Sequence, residues 1–187
     1  AHAAVKVELS DALDLHMLSV NDNGFIPEGA AAEGFDESRA PGAYPLAMLM
    51  ELGARAARRD AAELPVFLAH LDHANEVIRY WAALGVLMLG AQAASARDAV
   101  AAAFDAEASA HVRIALAETL LRDGAHAGAS GFLAQTLQSG ASDALKLQAA
   151  NALGNVGEAA RPALAALLLA SVTGSTDIRN AARHTAA

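Results

Sequence analysis

Four dipeptides, Ile78-Arg79, Val112-Arg113, Leu145-Lys146 and Ile178-Arg179, recur at steps of 34, 33 and 33 residues, and they constrain this chain more than any other feature. A fixed period of this length is the mark of stacked helix-pair units, none of which can bury its apolar face alone. Gly90, Gly124 and Gly157 repeat at the same steps, so the period belongs to a whole module. Each unit reads as helix A, a turn and helix B: residues 65–72 with 77–89, 96–105 with 111–122, 131–138 with 144–156, and 162–172 with 177–187. Helices this short are marginal in water by themselves, so each must be stabilised by its partner and by the next unit. The expected fold is all-α: a HEAT-like α-solenoid of about four helix pairs, with units at 64–90, 96–124, 131–157 and 162–187. The last B helix carries Asn180, Arg183 and His184, the polar face expected of a terminal cap.

Composition agrees with helices. Hydrophobic residues make up 55% of the chain but aromatics only 4%, and small side chains suit closely packed helices, whereas strands favour β-branched and aromatic residues. The absence of cysteine excludes disulfides, thiolate metal sites and a cysteine nucleophile. Thirteen basic against 21 acidic residues give a formal charge of -8, which opposes a sequence-independent grip on phosphates, so no nucleic-acid partner is expected. Arg55, Arg58 and Arg59 read as one solvated helix face beside Glu51. The longest apolar run, residues 80–91, is 12 residues and too short to span a bilayer. Ala1-His2-Ala3 shows no leader pattern and reads as a processed or cut end. The compartment stays open.

Residues 1–60 differ from the repeats. Val5, Leu9, Leu13, Met17 and Val20 fall on one helical face, and Asn21-Asp22-Asn23-Gly24 stops that helix. Residues 25–44 lose periodicity yet hold Phe25, Phe35 and Tyr44, three of the eight aromatics, which indicates an ordered strap. A lead-in helix then opens at Pro45 and runs to about Arg59. All three segments are expected to pack on the first repeat. Trp81 stands where later units have Ala115, Gln148 and Ala181, so its ring is expected to meet Phe25, Ile26 or Phe35.

Chemistry is sparse. His70, His73 and Glu76 form an H-x-x-H-x-x-E run with metal-ligand residue types. It supports the alternative reading of a stand-alone metal-dependent or metal-binding protein, although the expected end of helix A near Asp72 splits the set. Arg79, Arg113, Lys146 and Arg179 open the B helices, opposed by Asp72, Asp105 and Asp143 near the A-to-B turns. A structural ladder of charge-assisted hydrogen bonds is the expected use of these seven residues. No phosphate loop, G-x-S-x-G or H-E-x-x-H is present, so no catalytic, cofactor or metal residue is assigned. Polar residues that interrupt the B helices, Arg122, Gln148, Asn151 and Asn155, are the expected interaction surface.

The unit pattern, an apolar residue and a cation at the start of helix B, an Ala-rich middle and a closing Gly, resembles the HEAT-like repeats of bacterial proteins over residues 64–187. A sharper resemblance spans the chain. MLSVNDNGFIPE at 17–28, the Pro45 helix, LPVFLAHLDHANEVIRYWAALGVLMLG at 64–90 and the closing IRNAARHTAA are similar to the C-terminal region of bacterial arylsulfatase-type sulfatases. Asp22, Gly24, Phe25, Pro27 and Glu28 carry that match, with Arg79, Tyr80, Trp81 and Ala82. The Cys/Ser-x-Pro-Ser-Arg segment of those enzymes is missing, so none of their catalytic or calcium-binding residues carries over. The resemblance implies a non-catalytic scaffold or protein-interaction module, without cofactor. Its implied partner is a sulfatase catalytic domain in the same polypeptide or a further copy of the chain, and export to the periplasm or beyond would follow from the first.

Overall fold

The computed structural model describes residues 2–124 and 126–186, all of them helical or in turns, with no strand among the described residues. The helices are α1 (Ala3–Val20), α2 (Phe35–Arg39), α3 (Leu46–Arg58), α4 (Leu64–Ala69), α5 (Glu76–Leu89), α6 (Arg97–Ala106), α7 (Ala110–Arg122), α8 (Ala127–Gln138), α9 (Asp143–Asn155), α10 (Leu164–Thr173) and α11 (Thr176–Ala186). The A and B helices of the sequence reading correspond to α4 to α11, with ends shifted by a few residues. The predicted end of the last helix at residue 187 lies outside the described residues. The short helix α2 within the strap was not expected from periodicity; its five residues are too few to carry a period.

Local chemistry sets the B-helix starts. Asn75 accepts hydrogen bonds from the backbone N–H of Val77 and Ile78, Ser109 from Val112, and Ser142 from Leu145. These side chains satisfy donors that the first turn leaves without helical partners. At the other end, Gly90 and Gly157 adopt φ of 56° and 55°, left-handed values that a side chain disfavours. Each opens a seven-residue 3-10 segment, Gly90–Ala96 before α6 and Gly157–Ala163 before α10.

Packing follows chain order. Helix α5 lies against α3, α4 and α7; α7 against α6, α8 and α9; α9 against α8 and α11; and α10 against α8 and α11. One continuous core results, with Leu49, Phe67, Ile78, Phe104, Ile114, Leu116, Leu120, Leu133, Leu153, Leu167 and Ile178 all essentially excluded from solvent. Fully burying a side chain of this size contributes about 1.5–3 kcal/mol. Gly85 permits a close approach of two helices, since a Cβ there would run into the Phe67 ring. The stretch Glu76–Ala106 has the length and apolarity of a membrane-crossing helix, but the chain turns at Gly90 and α5 is packed among three neighbours.

The strap covers α5, as the position of Trp81 predicts. Phe25 and Trp81 pack with ring centroids 5.0 Å apart, and Trp81 Nε1–H donates to the Phe25 carbonyl at 2.8 Å. Tyr44 Oη accepts from the Phe25 N–H, and the Asn75 side-chain amide donates to the carbonyls of Gly42 and Ala43. Phe35 does not join them; it is exposed, with the Arg39 guanidinium over its ring at 3.7 Å. Helix α1 corrects the expectation that the whole N-terminal segment packs on the first repeat. It buries none of its residues, and Val5, Val7, Leu9, Leu13, Leu15, Leu18 and Val20 are all exposed.

Candidate interaction site

A concavity of about 590 Å³ opens between α4 and α6. Leu68 and Leu71 form one wall, and Ala99, Ala102, Ala103 and Ala106 form the other. Asp72, His73, Arg79 and Glu107 stand at its polar end.

That end is built around a half-buried ion pair. Arg79 Nε donates to Glu107 Oε2 at 2.8 Å and Nη2 donates to Oε1 at 3.0 Å, while the Glu107 carboxylate also accepts from the Ser109 N–H at 2.7 Å. Burial pushes the Glu107 carboxyl upward, but the bonds from Arg79 and the Ser109 N–H outweigh it and hold the group below its ordinary value. Arg79 is correspondingly raised by its bond to Glu107. Nη1 of Arg79 donates to the carbonyls of His73 and Ala74.

This geometry corrects the expected ladder. Among the described residues no ion pair joins Asp72, Asp105 or Asp143 to Arg79, Arg113, Lys146 or Arg179. Arg79 and Arg179 instead donate to turn carbonyls just upstream, Arg179 to Gly174 at 2.9 Å. Those carbonyls have lost their helical donors and require others. Arg113 lies between the Phe104 and Phe132 rings, 4.6 Å from each centroid, with its Nε buried and without a hydrogen-bond partner. Arg79, Arg113 and Arg179 are thus held by turn carbonyls, by aromatic faces and by Glu107. Glu107 breaks the period, its equivalents being His73 and Gly140, which is why spacing does not reveal it.

The metal run is not assembled. The His70 and His73 rings stack with centroids 6.2 Å apart, His70 Nδ1 meets the Val66 carbonyl, and His73 Nδ1 accepts from the Asn75 N–H. Glu76 turns away to accept from the Ser109 hydroxyl at 2.6 Å. No group of three His, Asp or Glu side chains able to hold a metal occurs among the described residues.

Three of the four expected surface residues are instead joined into rows across the B helices. Glu118 is buried in the middle of α7, where it accepts from Arg122 at 2.6 Å and from the Asn155 amide at 3.0 Å. Burial raises its carboxyl above the ordinary value despite Arg122, and burial likewise raises the neighbouring Tyr80. Gln148 donates to the His111 carbonyl and pairs with its Nδ1. Arg122, Asn151 and Asn155 are exposed and Gln148 is half-buried, and Asn151 takes part in neither row. A single acidic residue within ALAETLL, residues 115–121, was the available signal for Glu118. Arg55 and Arg58 converge on Glu63, so two members of the arginine cluster are neutralised.

Neither a family model, nor a curated protein sequence, nor a solved structure matches this chain.

Proposed function

We propose that this chain is a HEAT-like α-solenoid acting as a non-catalytic scaffold that binds another protein, in the accessory role its resemblance to sulfatase C-terminal regions implies. The observation that carries the reading is α1. It is an 18-residue helix that buries none of its residues: seven of its large apolar side chains are exposed and Met17 is half-buried. Exposed apolar surface of that extent marks a place where another protein packs. The serial contacts of α5, α7, α9 and α11 favour a solenoid, because each B helix touches the one before and the one after. The polar groups of the candidate site are engaged with one another in ways that stabilise turns and helix seams, which favours support over catalysis.

Two measurements on the full chain test this. Leu9→Glu with Leu13→Glu should leave the melting temperature unchanged, because both side chains are exposed, while abolishing binding to a sulfatase-type catalytic domain or to a further copy. A fall of several degrees would make α1 a structural cover and sink the reading. Titration with zinc or magnesium should leave melting unchanged; a rise that His73→Ala removes would establish the metal-dependent alternative instead.

A further inference from the structure

A second unpartnered apolar surface lies at the far end of the molecule. The 3-10 segments that open at Gly90 and Gly157 have the same length and lead into α6 and α10, so the two helices align position by position. Where α6 carries Arg97, Ala101 and Asp105, α10 carries Leu164, Leu168 and Val172. All three are exposed, with Val172 at 68%, and Leu169 beside them is exposed as well. Positions i, i+4 and i+8 make one stripe along a helix, and here charged and small residues have been replaced by large apolar ones. Helix α11 next to it is polar, as a cap should be. The end of the stack is therefore closed on its B side and apolar on its A side.

Helix α1 has the complementary character. Val5, Leu9 and Leu13 form a matching stripe of spacing four, exposed at 50%, 64% and 56%. Lys6 is its one basic residue against Glu8, Asp11 and Asp14, a net charge of -2, whereas α11 has Arg179 and Arg183 against Asp177, a net of +1; Arg161, just ahead of α10, is paired with Glu158 at 3.9 Å and adds nothing net. Two α1 helices brought together would oppose like charges. An α1 placed on the uncharged α10 would lie beside α11 and bring opposite charges together. Within one molecule the two stripes do not meet: both stay exposed, and α1 is held to the strap by the bond from Arg39 to the Val20 carbonyl.

We infer that the Val5, Leu9 and Leu13 stripe of α1 docks on the Leu164, Leu168 and Val172 stripe of α10 in a second copy of this chain, joining copies head to tail. The inference rests on the reading of α1 as a docking helix and adds the identity of what it docks on. Such a contact is heterologous: every added copy presents a fresh α1 and a fresh α10, so assembly continues past the dimer unless rotation closes a ring.

Complementary variants decide it. One carries Leu9→Glu with Leu13→Glu, the other Leu168→Glu with Val172→Glu; all four side chains are exposed, and circular dichroism checks that both fold. Sedimentation velocity should show wild type growing in mass with concentration beyond a dimer, each variant alone as a monomer, and the equal mixture as a one-to-one dimer that grows no further. Either variant assembling like wild type, or a mixture that stays monomeric, overturns the head-to-tail contact. A wild type that remains monomeric at its solubility limit overturns it too, yet leaves the scaffold reading standing, with α1 covered by a different protein.

Discussion

Replacing Glu107 by Gln tests the main electrostatic contact of this fold. The Glu107 side chain is 3% exposed and that of Arg79 18%, and their two hydrogen bonds join the start of α5 to the turn ahead of α7. Breaking a fully buried pair costs about 3–5 kcal/mol. Gln keeps one acceptor, and Arg79 retains the His73 and Ala74 carbonyls, so about 2 kcal/mol is the expected loss. For a chain of this size each kcal/mol moves the melting temperature by about 2–4 °C, giving a fall of about 4–8 °C. The pH dependence has a definite sign. Glu107 is held below its ordinary value, so its stabilisation is present above the unfolded carboxylate pKa, about 4.3, and is lost as pH falls through the lower folded value. Scanning calorimetry of both proteins should therefore show the full difference at pH 7 and a shrinking one below about pH 4. A variant that melts with wild type at pH 7, or a gap that persists in strong acid, would refute the argument. Asp72→Asn is the internal control: the sequence ladder requires a loss, the structure none.

Gly85→Ala should destabilise by about 2 kcal/mol net, because overpacking against Phe67 exceeds the helix-propensity gain of about 1 kcal/mol; an unchanged urea midpoint would contradict the close contact. Trp81→Phe removes the bond to the Phe25 carbonyl, worth about 1 kcal/mol, and amide exchange across residues 25–44 should quicken while that of α9 does not. Glu118→Gln should stabilise at pH 7. Burial holds the carboxyl above its ordinary value, so the stability of the protonated form is present in acid and is lost as pH rises through the folded pKa, a loss that Gln escapes while still accepting from Asn155. Melting curves from pH 4 to 8 should therefore be flatter for the variant, and parallel curves would exclude this account.

The helices of the stack are legible in the sequence because their signals are periodic. The Ile78-Arg79 series marks the first turn of each B helix, and the caps Asn75, Ser109 and Ser142 repeat at the same steps of 34 and 33, a second register that confirms the first. Periodicity misleads when it is used to assign partners. Asp72 and Asp105 are near the cations in sequence, but the contacts between neighbouring B helices join Gln148 to His111 and Asn155 to Glu118, residues 37 apart. The offset is one helical turn beyond the repeat, set by how helices pack rather than by residue spacing. Helix α1 shows the opposite failure. Its apolar spacing is correct for a helix, but Val7, Leu15 and Leu18 lie away from the Val5, Leu9 and Leu13 side, and no local pattern reveals whether a neighbour is present.

The chain contains a single tryptophan, and it sits at the seam between strap and stack. Its emission therefore reports one joint, the closure of Phe25 over α5, whereas far-ultraviolet dichroism sums over every helix. A contact 56 residues apart closes that seam, while the side-chain contacts within the stack span separations of 23 to 37. Forming the longer loop carries the greater entropic penalty. In a refolding experiment the dichroism signal should recover ahead of the fluorescence, and the interval between them times the fastening of the strap onto helices already stacked.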